Sequence, residues 1–572
     1  MTTSRISSSF QSVCMWKLER REASGLHRWQ TVCALFLLSM ATALAASAQS
    51  FTTLVSFTGT NGSDPHYGAL VQGRDGNLYG MTGHDAIDDC GTVFKVSTGG
   101  SLTTLFSFQG DDNGCHPDGG LMLATNGNIY GSTANAGADG NGTLFSLTPL
   151  GKLTTIHAFN FADGANTNSA LVEAPDGTFY GTTVNGGNGI SCCDGGGVIF
   201  KITPGGAYSV PHFFDFKDGW DPQDATLIQG TDGSFYGETA GGGRFNCPSP
   251  AIGCGAIFTI GPFGVFGVLH NFKGSDGDIP YGGLVQASDG NFYGTTYAGG
   301  ANGDGTVFKM TSSGVLTTIH NFSGTDGAQP RGHLIQATDG NLYGTTYSGG
   351  ANGDGTLFSV TLGGTLTTLH NFDGTDGAAP RSGLLQYTNG TFYGFTTGGG
   401  ASNDGTIFSL STGLGPFVAF VLNSAKVGQT AEILGQGFSA ATGVSFNGTP
   451  AVFDVHSDTY MTATVPDGAT TGPLTVTEPS GTLTSNAPFR VTPQITGFTP
   501  SSGPAGTTVV ITGDSLSQAT AVFLDCKWPM SFVVDSDKQI TATIPSNGTS
   551  GGIKVFTLGG HVESTAQFTV TP

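Results

Sequence analysis

Charge is scarce in this 572-residue chain. Asp, Glu, Lys and Arg make up 11% of it, and 41 acidic residues face 20 basic ones. The net charge of −21 leaves no basic surface for a phosphate backbone or an anionic lipid headgroup, which are bound by Lys and Arg neutralising negative charge. Nucleic acid is excluded as an expected partner, while cations and neutral ligands such as sugars stay open. Tryptophan is rare as well, four in all, and Trp220 is the only one between Phe51 and Ser411. Phosphate-binding loops and metalloprotease helix motifs are missing. Long apolar runs are missing too, apart from Thr31–Ala48, which follows a basic leader and ends in the small-x-small pattern Ala46-Ser47-Ala48. Its apolar part falls short of the roughly 20 residues of a comfortable membrane span. Residues 1–48 are therefore expected to be a signal peptide with a long basic leader. The mature chain is expected to have no membrane span and to be exported: secreted, on the cell surface or in the periplasm.

What is abundant points to β-structure. Glycine accounts for 94 residues and aromatics for 10% of the chain. Glycine alone would fit disorder, but disordered chains lack the Phe, Tyr, Thr and Val present here. Glycine for turns and these residues for strands give an all-β chain with many tight hairpins.

From Phe51 to about Ser411 the sequence repeats seven times, about every fifty residues. Each copy keeps one Tyr before Gly (Tyr79, Tyr130, Tyr180, Tyr236, Tyr293, Tyr343, Tyr393). Each also keeps one Phe after a Gly-rich loop (Phe94, Phe145, Phe200, Phe258, Phe308, Phe358, Phe408). In the sixth copy four strand-like runs follow one another: His333–Thr338, Asn341–Tyr347, Thr356–Thr361 and Leu366–Phe372. The pair Asp339-Gly340 suits a two-residue hairpin turn between the first two. Four antiparallel strands per repeat, seven times over, predict a seven-bladed β-propeller over residues 49–412. Phe51–Phe57 matches a fourth strand with no preceding three, so it is expected to complete the last blade and remove the open edges. The tight turns fall on one face of such a ring. The longer Gly-Gly-Ala-Asn-Gly-Asp-Gly and Gly-Thr-Asp-Gly-Ala-Gln-Pro loops fall on the other, where a site is expected.

Beyond Pro416 two copies of another module follow, expected at 416–492 and 493–572 as Ig-like β-sandwiches. They carry Val465-Pro466 with Phe489, and Ile544-Pro545 with Phe568. On these turns and closing strands both modules resemble IPT/TIG domains. The second also has the Pro-Ser-x-Gly-x-x-Gly opening at Pro500–Gly506, which the first lacks. The seven repeats resemble the GloVer tandem-repeat family of exported bacterial proteins, through Asp-Gly-Asn-x-Tyr-Gly-Thr-Thr and Asp-Gly-Thr-x-Phe. That resemblance implies a secreted or surface protein and brings no catalytic residues.

Four features invite a functional reading. His157, His212, His270, His320 and His370 recur at one strand position, but Val55 and Phe106 hold it in other copies, so packing is expected there. Asp304, Asp354 and Asp404 lie in loops that partly match calcium β-roll motifs. Those rolls need immediate tandem copies, and Asp with Gly otherwise forms Asx turns, so calcium is the one cofactor left open. Among the cysteines, Cys247 with Cys254 and Cys90 with Cys115 are disulfide candidates in an exported chain, whereas Cys192, Cys193 and Cys526 have no assigned pairing. Trp220, with Arg244, Phe245, Asp218 and Asp221, has the makings of a sugar-stacking patch, packing under a long loop being the alternative.

No catalytic constellation is marked out. The expected function is non-enzymatic: an exported binding or surface-interaction protein whose loop-rich face recognises a glycan or an extracellular protein. One alternative is a propeller-borne polysaccharide lyase or glycoside hydrolase, with paired carboxylates or a His/Arg cluster at the channel mouth. Another is a rigid extracellular scaffold without a ligand.

Overall fold

The computed structural model describes residues 49–65, 68–85, 88–187, 195–223, 226–244, 253–261 and 264–572. The expected signal peptide therefore lies outside the described residues, as do Phe245, Cys192, Cys193 and Cys247. The chain divides into two compact units, Met1–Ser50 and Phe51–Pro572, and the repeats belong to the second. The fold is all-β. Among the described residues there is one 3-10 turn, Phe438–Ala440, and no helix is long and apolar enough to cross a membrane.

Each repeat forms a four-stranded antiparallel sheet in which sequence neighbours pair. In the sixth the strands are Ile335–Gln336, Leu342–Thr346, Thr356–Val360 and Leu366–Asn371. The repeated phrases have direct physical causes. Asp339 sits in the first turn, where its carboxylate accepts the Asn341 backbone N–H (3.0 Å) and the Tyr343 hydroxyl (2.9 Å). Asp, Asn and Tyr thus lock one hairpin together. The Gly after that Tyr is set by space. Gly344 pairs with Phe358 across the strands, and a Cβ there would lie 2.9 Å from Phe358 Cζ and 2.7 Å from Leu334 Cδ2. All seven of the recurrent Phe side chains are completely buried.

The sheets are joined by shared apolar clusters. Tyr343 and Leu357 of the sixth sheet pack with Phe392 and Phe408 of the seventh. Phe57, Leu78 and Phe94 at the start of the chain pack with Tyr393, Phe395 and Ile407 of the seventh. Strand Ser50–Ser56 also hydrogen-bonds beside Thr406–Ser411 and supplies the fourth strand of that sheet. A polar staple accompanies the packing. One residue in each incoming loop adopts left-handed backbone: Asp64, His116, Asn166, Asp221, Ile279, Gln329 and Ala379, with φ between 50° and 58°. This conformation is unfavourable for a residue with a Cβ. It turns the N–H of Gln329 back to the Asp304 carbonyl of the preceding sheet (2.8 Å) and its C=O toward the Tyr347 N–H of its own (3.1 Å). Asp64 does the same with Asp404 (3.1 Å), linking the first sheet to the last.

The two C-terminal modules each pair a four-stranded sheet with a second sheet over an apolar core. Ile433, Met461, Val476 and Phe489 centre the first, and Ile511, Val522, Ile540 and Phe568 the second.

Candidate functional site

The chain direction sorts the loops of the seven sheets. Turns between the first and second strands are tight, and the C-terminal modules meet them. Arg74 in the first turn forms an ion pair with Glu432 and lies over the Tyr460 ring, 5.3 Å from its centroid. Thr388 in the seventh donates to Gly435 O (3.1 Å) and receives Gln436 Nε2 (2.8 Å). Buried Arg490 donates to Gly230 O (3.1 Å) and Gln229 Oε1 (3.0 Å) in the fourth. Among the described residues, the loops on the opposite side carry none of these contacts.

A cavity of about 410 Å³ is lined at, or one to two residues before, the first strand of every sheet, through Leu70, Leu121, Leu171, Ile228, Leu284, His333 and Leu385. Phe420 and Leu434 of the first C-terminal module also line it. Its wall is mostly aliphatic, which makes its one titratable group, His333, conspicuous. Desolvation holds His333 down to about 4. Space for its ring comes from Gly383, where a Cβ would lie 2.1 Å from His333 Cε1. Glu238 is fully buried at a position held by Thr182, Thr295 and Thr345 in other repeats. Desolvation pushes it up to about 8, partly opposed by the Gly283 N–H.

On the loop-rich side the fifth, sixth and seventh sheets bring together Tyr281, Tyr297, Tyr347, Arg331 and Arg381. The Arg331 guanidinium lies 4.5 Å from the Tyr281 centroid and 5.5 Å from that of Tyr297. Arg381 lies 4.9 Å from the Tyr347 centroid and donates to its hydroxyl (3.3 Å). All five side chains are half-buried, and Arg331 stands two residues before His333 of the cavity wall. Aromatic faces beside guanidinium groups offer an apolar platform together with hydrogen-bond donors. Sequence reasoning missed this cluster although Arg331 recurs as Arg381 and Tyr297 as Tyr347, because those positions hold other residues in the remaining copies and only the fold sets them beside one another.

The residues singled out from sequence are placed as follows. Trp220 is half-buried and spends its indole N–H on Gly195 O (3.1 Å). Asp218 lies 3.1 Å from His212 Nε2 and caps the Asp215 N–H (2.8 Å). Asp221 has left-handed backbone, and desolvation pushes its carboxyl up to about 6. Arg244 is exposed, its backbone N–H donating to Asn271 Oδ1 (3.1 Å). Asp304, Asp354 and Asp404 occupy equivalent loops of three sheets, and each carbonyl accepts a staple N–H. Among the described residues none of the three belongs to a group of three close His, Cys, Asp or Glu ligand atoms. Cys90 and Cys115 form a disulfide, Cys254 is disulfide-bonded, and Cys526 is free and exposed.

Each recurrent His pairs with an Asp six residues on. The Nε2 to Oδ2 distances are 3.2 Å for His157–Asp163, 3.1 Å for His212–Asp218, 3.2 Å for His270–Asp276, 2.9 Å for His320–Asp326 and 2.7 Å for His370–Asp376. Three of the rings also stack on an aromatic of the next sheet: His157 on Tyr208, His212 on Phe266 and His370 on Phe51.

Fold and loop asymmetry define a class: tandem four-stranded β-repeats followed by Ig-like modules. The sequence matches the Gloeobacter/Verrucomicrobia repeat over residues 39–249 and 249–449, and the IPT/TIG domain over 418–491 and 493–570. The chain belongs to the Gloeobacter/Verrucomicrobia repeat family and carries two C-terminal IPT/TIG domains. No curated protein matches it. Among solved structures it is similar to a surface glycan-binding protein from Prevotella bryantii, with 21% identity over 26% of this chain and a TM-score of 0.21. It is similar to SGBP-B from a complex xyloglucan utilization locus in Bacteroides uniformis, with 19% identity over 27% of this chain and a TM-score of 0.14. The chain spans 38% and 48% of the lengths of those two proteins. A gluconolactonase from Xanthomonas campestris is 12% identical over 65% of this chain and 92% of its own, with a TM-score of 0.35.

Proposed function

We propose that residues 49–412 form an exported seven-bladed propeller that binds a neutral glycan on its loop-rich face. The IPT/TIG pair, 416–492 and 493–572, closes the opposite face. One observation carries the reading. The C-terminal modules occupy the tight-turn side and line one part of the axial cavity, while the Tyr281, Tyr297, Tyr347, Arg331 and Arg381 cluster stands on the other. Support for the ring comes from the N-terminal strand in the last sheet, the cyclic series of apolar clusters and a cavity wall drawn from all seven sheets. The Cys90–Cys115 disulfide fits an oxidising compartment. Tyrosine rings stack on the C–H faces of sugars while guanidinium N–H groups meet hydroxyls, and the net charge of −21 favours a neutral ligand over a polyanion.

The test is a glycan-array screen of the full chain with and without calcium, repeated with Tyr297→Ala and with Trp220→Ala. Retention of neutral glycans that is lost in Tyr297→Ala and kept in Trp220→Ala is expected. Loss only in Trp220→Ala would move the site to the fourth sheet. Loss on chelation would assign calcium to the loops of Asp304, Asp354 and Asp404. Turnover of a retained polysaccharide would replace binding by catalysis.

A further inference from the structure

We propose that His84, Asp89 and His116 form a binding site for a divalent transition-metal ion between the first and second sheets. They come from two loops. His84 and Asp89 lie between the strands Leu78–Thr82 and Thr92–Val96, and His116 lies in the loop leading into Met122–Leu123. One ligand atom from each lies within 4.8 Å of the others, and among the described residues this is the one such group of three. The two imidazole centroids are 4.9 Å apart.

Repeat geometry explains how the residues meet. In each repeat the residue before the left-handed position bridges the segment that follows the second strand, as Cys115 does with Asn135 and Ala165 with Asn185. His84 holds in the first sheet the place that Asn135 and Asn185 hold in the next two. His116 holds the left-handed place that is Asn166 in the third. The fold brings such positions of neighbouring sheets together throughout, and Asn135 and Asn166 are themselves hydrogen-bonded (3.1 Å). Only between the first and second sheets are both imidazoles. The loop Gly83–Gly91 also departs from the Gly-Gly-Ala-Asn-Gly-Asp-Gly pattern and introduces Asp89.

Each imidazole has one nitrogen for an ion and one for a protein partner, as metal-bound histidines require. His84 Nδ1 is 3.0 Å from Asp89 Oδ1, and its Nε2 faces Asp64 Oδ2 at 4.0 Å. His116 Nε2 donates to the Asp89 carbonyl (3.0 Å), leaving Nδ1, which accepts from the Asn135 side-chain amide (2.8 Å) and would exchange that bond for the ion. The Cys90–Cys115 disulfide joins the residues adjacent to Asp89 and His116, so both loops are held before an ion arrives. Two imidazoles and one carboxylate suit zinc-like ions, whereas calcium takes six to eight oxygens. Three protein ligands leave a position for water or for a group on a bound molecule.

The experiment is equilibrium dialysis of the full chain, disulfide intact, against zinc, with cobalt absorption as a second readout. Wild type is expected to take up one ion tightly. His84→Ala, His116→Asn and Asp89→Asn are expected to lose roughly tenfold or more in affinity. Asn suits the left-handed backbone at 116, as Asn166 does in the next sheet. His320→Phe removes a histidine from a His–Asp pair and should bind like wild type. In wild type alone, zinc should shield His84 and His116 from diethyl pyrocarbonate, a readout independent of whether any variant folds. No tight uptake by wild type, uptake unchanged in the three ligand variants, or no shielding of these two histidines would overturn the site.

Discussion

Single residues in this molecule are fixed by what lies across the strand from them. Gly344 is glycine because the Phe358 ring fills the space a Cβ would take. Gly344→Ala should therefore lower stability by about 2 kcal/mol, read as a shift in denaturant midpoint with an unchanged slope. Glu238 shows the opposite situation, a charged type in a slot suited to Thr. Its folded pKa, about 8, is raised above the ordinary 4.5. The stability it allows is full below about pH 4.5 and is lost as pH rises toward 8. His333 is held down to about 4 and acts in reverse, losing stability as pH falls from 6.5 toward 4. Between pH 6.5 and 8 only the Glu238 effect remains. Glu238→Thr should abolish the decline there and stabilise the protein at pH 8 by about 2 kcal/mol, measured as the thermal midpoint against pH. Much at this scale was legible in the sequence. Seven copies exposed the recurrent Tyr-Gly and the recurrent Phe, and three of them share the full Asp-Asn-Tyr lock. The histidines read as packing because Val55 and Phe106 share their position, and three of the rings do stack on aromatics. Their Asp partners went unnoticed because the pairing spans a strand end and a loop. Arg331 and Tyr297 went unread although each recurs once, as Arg381 and Tyr347, because a match in two copies of seven does not stand out from the seven-fold pattern.

Elements repeat because each sheet is incomplete alone. A four-stranded sheet leaves both faces apolar, and the clusters that cover them are always shared with a neighbour. The N-terminal strand is the element whose loss should matter most. Phe51 stacks on His370 with centroids 3.7 Å apart and leans on Phe408 at 5.4 Å. Phe51→Ala should cost about 2 kcal/mol. Deleting residues 50–56 should leave Thr406–Ser411 as an open edge and promote self-association, visible in sedimentation. A truncated chain that stays monomeric with an unchanged thermal midpoint would contradict the role assigned to that strand. Its pairing was anticipated from a fourth-strand phrase standing alone at the start of the repeats. The left-handed staple was not, because seven different loop residues, from Asp64 to Ala379, share its backbone and no side chain marks it.

At the scale of the whole molecule, one face is short-looped because another part of the chain rests on it. The trimmed turns were evident in the sequence, but their reason was not. Arg74 and Gly230 meet their partners across hundreds of residues and Thr388 meets Gly435 in another module, and no local pattern announces such contacts. Arg490→Ala removes a buried guanidinium from its two acceptors in the fourth sheet and should loosen the modules from the repeats, splitting one thermal transition into two without changing glycan retention. The central claim, that ligands meet the loop-rich face, is tested most directly by hydrogen exchange of the full chain with and without a retained glycan. Slower exchange is predicted around Tyr281, Tyr297, Arg331, Tyr347 and Arg381, with no change at Thr388, Gly435 or Glu432. Protection confined to the IPT/TIG modules, or to the turns they cover, would contradict the account.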